Sequence, residues 1–173
     1  MSKRFSGSIA FTLVALLALA VSLAAQSGGG AKAEKFPADY RAWTHVKSMV
    51  IHDPAHPLHA DFGGIHHVYV NKKGLGTLKR GGSEPSYPDG TVFVFDLLEA
   101  QLEDGTYVEG ARKAVAVMTK RAKKYAETGG WQFAVFPGGD PTKGASGEAT
   151  HSCFACHDTQ ASKSDYIFSK WRP

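Results

Sequence analysis

Two cysteines, the only two in the chain, lie next to a histidine in the stretch C-F-A-C-H at residues 153–157. In an exported protein, the pattern C-x-x-C-H is typical of covalent haem attachment, in which each thiol adds across one vinyl group of the porphyrin. The two-residue spacing matches the separation of the vinyl groups, and the adjacent His157 then supplies an imidazole nitrogen to the iron. The motif therefore predicts one haem c, attached through Cys153 and Cys156, with His157 as the metal ligand.

Three other interpretations of the motif compete with haem attachment. A redox-active disulfide normally lies in a thioredoxin-like βαβ unit, of which the sequence gives no sign. A zinc site would use His151, Cys153, Cys156 and His157, but structural zinc sites usually take pairs of ligands from two separated segments. A plain structural disulfide would not require His157. Haem attachment is the interpretation that uses both thiols and the imidazole.

The ligand on the opposite side of the iron decides which kind of haem protein this is. An electron carrier closes that position with a methionine or a second histidine. Apart from the initiator, the methionines are Met49 and Met118, both at positions typical of core packing. His66 and His67 are adjacent on a predicted strand, so only one of them can face the buried side. These residues alone leave the sixth ligand open.

The segments that position these residues are mostly strands joined by short turns. The pattern predicts a helix over 36–51, strands over 65–71, 91–100, 106–110, 113–120 and 131–137, and loops over 51–64 and 138–150. A Gly-rich stretch follows the first strand and runs to Gly82. Short turns favour antiparallel pairing, because parallel strands need longer crossovers. We therefore predict an α+β fold, a mainly antiparallel β-sheet with flanking helices at both ends and haem c bound against the sheet.

The chain divides into a leader, a tether and one domain. Lys3 and Arg4 precede an uncharged apolar run over 9–25, and Gly-rich sequence follows it. This arrangement predicts a signal peptide over 1–25, a flexible tether over 26–36 and a single haem-binding domain over 37–173, exported to the periplasm. An uncleaved membrane anchor is the alternative, since this run of 17 residues is at the short limit for crossing a bilayer.

The charge of the chain does not favour a nucleic-acid partner. The formal net charge is +4, and removal of Lys3 and Arg4 lowers it to +2. No basic run interleaved with aromatic residues is present. The densest basic segment, at 120–124, is typical of a solvated helix or turn, and it could also meet an acidic, soluble redox partner.

The order of several motifs resembles the cytochrome P-460 family. V-Y-V-N at 68–71, P-D-G-T-V-F-V-F-D-L at 88–97, T-G-G-W-Q-F-A-V-F at 128–136, the haem motif and D-Y-I-F-S-K-W-R-P at 165–173 occur in the family's order, and the likeness runs from about Phe36 to the C-terminus. The resemblance implies a mainly antiparallel fold, usually a homodimer, with one haem c. Cytochrome P-460 proper oxidises hydroxylamine at a haem cross-linked to a lysine and carries a distal glutamate. Cytochrome c′-beta has five-coordinate iron under phenylalanines and binds nitric oxide and carbon monoxide.

Two positions indicate which of these two kinds of family member the chain resembles. The cross-linking lysine lies five residues after the PDG glycine, where this sequence has Phe95, and the stretch that would carry the glutamate reads A-V-M-T-K at 116–120. The resemblance therefore implies the cytochrome c′-beta type, with Phe62 and Phe95 capping the distal pocket. His66 stands where the oxidising members carry a distal arginine.

We expect a haem protein that binds diatomic gas. An apolar cap offers no hydrogen-bond donor to bound oxygen, whereas nitric oxide and carbon monoxide lose little without one. Two alternatives remain: an oxidoreductase of the P-460 type acting on hydroxylamine or nitric oxide, and a six-coordinate electron-transfer cytochrome using His66, His67 or Met118. The sequence leaves open whether the protein is an enzyme.

Overall fold

The structure, a computed structural model, describes residues 34–173 of the chain. The predicted signal peptide over 1–25 and the part of the tether up to residue 33 lie outside the described residues. Glu34 and Phe36, at the end of the predicted tether, contact the domain: Glu34 accepts a hydrogen bond from Thr119, and the Phe36 ring packs against Phe136. Within 34–173, no helix has the length and apolar character needed to cross a membrane.

One antiparallel sheet of five strands forms the centre of the fold, and its strands lie side by side in chain order. The strands are β1 (Thr44–Ile51), β2 (Gly64–Val70), β3 (Val92–Glu103), β4 (Thr106–Lys120) and β5 (Trp131–Pro137). The helices are α1 (His59–Phe62), α2 (Lys72–Arg80) and α3 (Gly147–Ala161). The predicted α+β class with an antiparallel sheet is confirmed.

The longest strands, β3 and β4, form a hairpin. Asp104 and Gly105 make its two-residue turn with φ of 48° and 79°, the left-handed backbone that a type I′ hairpin turn requires. The sequence predicted two strands, 106–110 and 113–120, but the structure has the single strand β4. The register of β3 against β4 shifts between Leu97 and Ala100, and the two strands remain paired on both sides of these shifts.

The two faces of the sheet bury different clusters. The α3 face is the side on which Phe93, Met118 and Phe133 pack with residues of α2, α3 and the C-terminal segment. The Asp96 face is the opposite side, where Tyr40, Val94, Val115, Val117, Ala134 and Phe136 pack together. Residues alternate between the two faces along each strand, so Phe93 and Phe95 share the α3 face while Asp96 points away from it.

The predicted N-terminal helix over 36–51 is wrong. Tyr40–Ala42 form a single 3₁₀ turn, and Thr44–Ile51 form strand β1. The apolar spacing that resembled a helix has another cause, because Tyr40 packs on the Asp96 face whereas Val46 packs on the α3 face. Four of the eight residues of β1 are β-branched, and three of them, Thr44, Val50 and Ile51, pair with β2.

The Gly-rich stretch up to Gly82, for which the sequence predicted no helix, contains helix α2. Asn71 caps it, since its side chain accepts a hydrogen bond from the Gly74 amide at 3.1 Å. Gly74 lies against β3: a Cβ there would come within 2.4 Å of the Thr91 side chain, so only glycine allows this approach. Burial of Leu78 on the α3 face then stabilises a helix that its two glycines would otherwise disfavour.

Candidate functional site

Helix α3 carries the whole C-x-x-C-H motif, and one face of it lies against β5. Thr150 fixes the helix there: its hydroxyl donates to the Phe133 carbonyl at 2.9 Å and accepts from the Phe133 amide at 3.4 Å. The following inward positions at helical spacing are Cys153, His157 and Ala161. Helical periodicity therefore brings Cys153 and His157 to the face that Thr150 anchors.

The imidazole of His157 is oriented by one hydrogen bond and two aromatic rings. Its Nδ1–H donates to the Tyr166 carbonyl at 2.7 Å, and the rings of Phe133 and Phe168 lie 5.0 Å and 4.6 Å away, centroid to centroid. Burial lowers the pKa of His157, and the hydrogen bond to Tyr166 offsets only part of that effect. A neutral imidazole with the proton on Nδ1 keeps the lone pair of Nε2, which is the form that ligates a metal.

The two cysteines lie in different surroundings. Cys153 packs against the apolar cluster of the α3 face, and burial raises the pKa of its thiol. Cys156 is exposed, and its sulfur accepts a hydrogen bond from the Gln160 side chain at 3.5 Å. Neither cysteine is in a disulfide. Two unlinked thiols on one helix beside a histidine are what covalent haem attachment requires.

The rival interpretations of the motif find no support in this geometry. The thiols are not paired, and the antiparallel sheet has no thioredoxin-like βαβ unit in the described chain. No group of three or more His, Cys, Asp or Glu side chains within 34–173 is placed to hold a metal ion by itself. His151, Cys153, Cys156 and His157 therefore do not form the four-ligand zinc site that the sequence allowed.

A row of apolar side chains crosses the α3 face next to Phe133 and stays half-exposed. Val68, Phe95, Ala116 and Val135 are directly paired across β2, β3, β4 and β5. We call this the apolar row. It spans three gaps between strands, or about 14 Å. The small side chain of Ala116 leaves room at its centre, and a flat apolar group would cover the whole row.

The predicted distal residues meet at the β2 end of the apolar row. The ring centroids of Phe62 and Phe95 are 6.1 Å apart, and those of His66 and Phe95 are 4.8 Å apart. Phe62 is the last residue of α1 and is 41% exposed, so its ring forms the outer edge of this group. The structure thus brings Phe62, Phe95 and His66 together, and their position above a haem iron stays a prediction.

Comparison with protein-family models supplies the deciding observation. The model described as Cytochrome P460 matches residues 37–169, a range that includes all five strands, the distal group and the C-x-x-C-H motif. The chain belongs to the cytochrome P460 family. Among the curated proteins, none matches the chain. Membership implies a haem cofactor, in agreement with what the cysteine motif predicted.

The residues present fit the haem of a cytochrome P460. His157 offers a neutral imidazole, Cys153 and Cys156 offer unlinked thiols, and the apolar row offers a surface for the macrocycle. When bound, the haem iron supplies a coordination position for a small ligand and holds one exchangeable electron. The protein's own part is to orient the imidazole and to shape the opposite side.

His66 is the predicted distal residue whose role the sequence left open. It is 1% exposed, and its Nε2–H donates to the carbonyl of Phe62. The neutral ring then keeps a lone pair on Nδ1, which is buried and has no hydrogen-bond partner in the described chain. Burial lowers the pKa of His66, which favours this neutral state. His66 therefore uses its only N–H to hold Phe62 and has none to offer a bound gas.

Of the other candidate sixth ligands, only Met49 lies beside His66. His67 is on the Asp96 face, where Nδ1 is 2.8 Å from the Ser48 hydroxyl and Nε2 is 2.7 Å from Glu109. Met118 is buried in the cluster of the α3 face. Met49 pairs with His66 from the edge strand β1 and is exposed.

The groups expected of an oxidising member are not next to Phe95. The segment 116–120 carries no acid, and Glu109 contacts His67 on the opposite face of the sheet. Glu99 is exposed on β3. Lys113 does contact the segment that follows Phe62, since its Nζ donates to the Gly63 carbonyl at 2.7 Å. That contact fixes the backbone directly after Phe62.

Several residues around His157 were not predicted from the sequence as part of the site. Phe133 could have been found, because it alternates with Trp131 and Val135 on a predicted strand and so shares their face. The Tyr166 carbonyl could not, since a backbone acceptor has no signature in side-chain types. Lys120 was interpreted as part of a solvated basic run, yet it is buried.

Proposed function

We propose that this protein is an exported mono-haem c-type cytochrome of the cytochrome c′-beta kind, whose sixth coordination position is open and binds nitric oxide or carbon monoxide. Cys153 and Cys156 hold the haem covalently, and His157 is the proximal ligand. Phe62 and Phe95 cap the distal side. The haem face packs on the apolar row.

The observation that carries this proposal is the composition of the distal group. Two phenylalanines form its accessible part, and the one imidazole beside them has its N–H committed to the Phe62 carbonyl. An apolar pocket of this kind favours nearly apolar diatomics over oxygen.

The alternative enzyme, an oxidoreductase acting on hydroxylamine or nitric oxide, has less support. Phe95 occupies the position of the cross-linking lysine, and the segment of the expected glutamate carries none. The six-coordinate carrier has less support for two of its three candidate ligands, because His67 lies on the opposite face of the sheet and Met118 packs inside the cluster of the α3 face. The spectrum of the reduced protein with carbon monoxide tests the third candidate, His66.

The binding preference is tested by adding carbon monoxide, nitric oxide or oxygen separately to the reduced holoprotein. We expect stable complexes with the first two gases and no stable oxygen complex. In Phe95→Gln, an amide donor enters the pocket; one hydrogen bond of about 1 kcal/mol raises oxygen affinity roughly fivefold. Phe95→Leu is the matched control, since it keeps the pocket apolar and leaves oxygen binding unchanged.

The enzyme alternative is tested in the same preparation. Hydroxylamine is added together with an oxidised dye, and we expect no hydroxylamine-dependent reduction of the dye. Mass spectrometry of the native protein should find haem on the 153–157 peptide alone. Steady dye reduction, or a peptide in which a lysine is bonded to haem, would contradict the gas-binding proposal.

The proposal includes the cellular setting. We place the mature protein in the periplasm as a homodimer, with a soluble redox partner able to change the oxidation state of the iron. The apolar run over 9–25 supports export. Fractionation of cells followed by sedimentation of the purified protein tests both points, and a monomer or a cytoplasmic holoprotein would contradict them.

A further inference from the structure

The carbonyl that accepts the His157 hydrogen bond belongs to a constrained corner of the backbone. Asp165 and Tyr166 both have left-handed backbone, with φ of 49° and 66°. Residues other than glycine seldom adopt that region and persist there only when their surroundings hold them. The corner follows the 3₁₀ turn Ser162–Ser164, just after α3, and turns the Tyr166 carbonyl back toward His157.

The Asp165 carboxylate ties this corner to the body of the domain. Its Oδ1 accepts from the Lys120 ammonium at 2.6 Å and from the Trp131 indole N–H at 3.2 Å. Its Oδ2 accepts from the Tyr87 amide at 2.8 Å. Both oxygens are thereby bonded to three different segments of the chain, so the position of the corner is defined from several sides.

The ion pair in this cluster is buried. The side chains of Lys120 and Asp165 are 9% and 11% exposed. Lys120 also donates to the Gly129 carbonyl at 2.9 Å, and its ammonium lies 4.9 Å from the centre of a Trp131 ring. A buried ion pair adds little net stability over apolar packing, but its geometry is highly specific. That specificity fits a role in positioning.

Gly129 closes the cluster from the other side. Its φ is 61°, and a Cβ there would lie 2.0 Å from an atom of the Tyr166 ring. The corner therefore rests directly on the Gly129 backbone. The conspicuous T-G-G-W segment at 128–131 and the D-Y dipeptide at 165–166 are thus two halves of one contact.

We propose that the Lys120–Asp165 pair is a positioning device for the proximal ligand: it holds the Tyr166 carbonyl against His157 Nδ1–H and so sets how strongly the imidazole donates to the haem iron. This inference rests on the part of the proposed function in which His157 ligates the haem. It assigns a role to two residues that touch neither the ligand position nor the thiols.

The electronic consequence has a definite sign. A metal-bound imidazole whose second N–H is hydrogen-bonded is a more basic ligand. A more basic ligand stabilises the ferric state over the ferrous state and so lowers the reduction potential. Loosening the corner weakens the hydrogen bond to Tyr166, and the potential must rise.

Lys120→Met in the holoprotein separates positioning from simple electrostatics. Loss of a positive charge near the haem, taken alone, would lower the reduction potential. Loss of the positioning contact raises it. We expect a rise corresponding to as much as a tenfold shift toward the ferrous form, which is 59 mV for a one-electron couple. Resonance Raman of the ferrous protein should show a lower iron–imidazole stretching frequency.

Gly129→Ala moves the same corner without changing any charge, and it serves if Lys120→Met does not yield holoprotein. We expect its potential and its stretching frequency to shift in the same directions. Lys143→Met is the control, because Lys143 is a 69% exposed lysine in an ion pair with Asp140. It should leave both quantities unchanged.

The proposal stands if the corner variants raise the potential and the control does not. A fall in Lys120→Met, no change in Gly129→Ala, or an equal shift in Lys143→Met overturns it, whatever happens to stability. These measurements are made without added gas. Failure of carbon monoxide to bind the wild-type protein would therefore contradict the gas-binding function. It would not affect the positioning role, which the reduction potential and the stretching frequency test separately.

Discussion

At the scale of single residues, the two histidines that we propose to lie on the proximal and distal sides of the haem make the same kind of hydrogen bond with different consequences. His157 and His66 each donate their one N–H to a backbone carbonyl, of Tyr166 and Phe62 respectively. In each ring the bond decides which nitrogen keeps its lone pair. For His157 that nitrogen is the proposed iron ligand. For His66 the bond holds an aromatic cap in place.

The cap should loosen when the His66 contact is removed. His66→Phe fills the same space but cannot donate to the Phe62 carbonyl. Loss of a hydrogen bond of about 1 kcal/mol raises the open population of the cap roughly fivefold. Flash photolysis should then show carbon monoxide rebinding faster by about that factor. His67→Phe, on the opposite face of the sheet, is the control and should leave the rate unchanged.

Covalent attachment belongs to the same scale. Cys153→Ser and Cys156→Ser should each retain haem through one thioether after denaturation, and the double variant should release it. Mass spectrometry of the denatured chain makes the measurement. His151→Ala, next to the motif on an exposed turn of α3, should keep both links. Quantitative release of haem from the denatured wild-type chain would refute attachment through these thiols.

The three residues of the proposed haem motif could be selected from the sequence, because residue type and spacing alone indicate that chemistry. The distal group needed more. Phe62 and Phe95 are 33 positions apart in the sequence, and only the pairing of β2 with β3 brings their neighbourhoods together. The orientation of His66 could not be foreseen, since its partner is a backbone oxygen.

At the scale of elements, the strands with clear signals were the predictable ones. The region of β3 is rich in β-branched and aromatic residues, and Asp104-Gly105 is a strong turn signal. Helix α2 was missed because its two glycines disfavour a helix, which burial of Leu78 stabilises. Strand β1 was predicted as a helix because of its apolar spacing, although its four β-branched residues favour a strand.

Helix α2 should therefore depend on its cap. Asn71→Ala removes the acceptor for the Gly74 amide, and we expect a loss of about 1 kcal/mol in the free energy of unfolding. Urea denaturation followed by circular dichroism measures it. Asn71→Asp keeps the acceptor but loses the donor to the Gly90 carbonyl, 2.9 Å away, so it should recover only part of the loss. If the alanine variant were as stable as the wild type, the cap would not be what starts this helix.

At the scale of the whole molecule, a buried carboxylate joins the N-terminal segment to the sheet. Asp96 is fully buried and accepts hydrogen bonds from Tyr40 at 2.7 Å, Arg41 at 3.0 Å and Arg112 at 2.8 Å. Burial by itself would raise the pKa of Asp96, but these bonds outweigh it and the pKa is lowered. The pKa of Tyr40 shifts in the opposite direction. Burial of its hydroxyl and the hydrogen bond to Asp96 raise this pKa to about 12.

Asp96→Asn should be among the more destabilising substitutions in the domain. It removes the charged partner of Arg112 and the buried partner of Arg41, and we expect a loss of about 3 kcal/mol in the free energy of unfolding at neutral pH. Glu109→Gln removes an exposed partner of the same Arg41 and should cost under about 1 kcal/mol. Equal losses in the two variants would contradict the role of the buried carboxylate.

The stabilisation by Asp96 has a predictable pH window. Because the folded pKa lies below the ordinary value of 3.8, the contribution is fully present above that pH. It is lost as the pH falls through the folded value. The difference in stability between wild type and Asp96→Asn should shrink below about pH 4, and a difference that persists at lower pH would place its origin elsewhere.

The central claim, an iron with one imidazole below and apolar rings around an open position above, is tested most directly by the optical spectrum of the reduced holoprotein before and after carbon monoxide. We predict a high-spin spectrum that converts to a carbon monoxide complex. A low-spin spectrum with sharp α and β bands that carbon monoxide leaves unchanged would mean that a side chain closes the sixth position, and it would contradict this account.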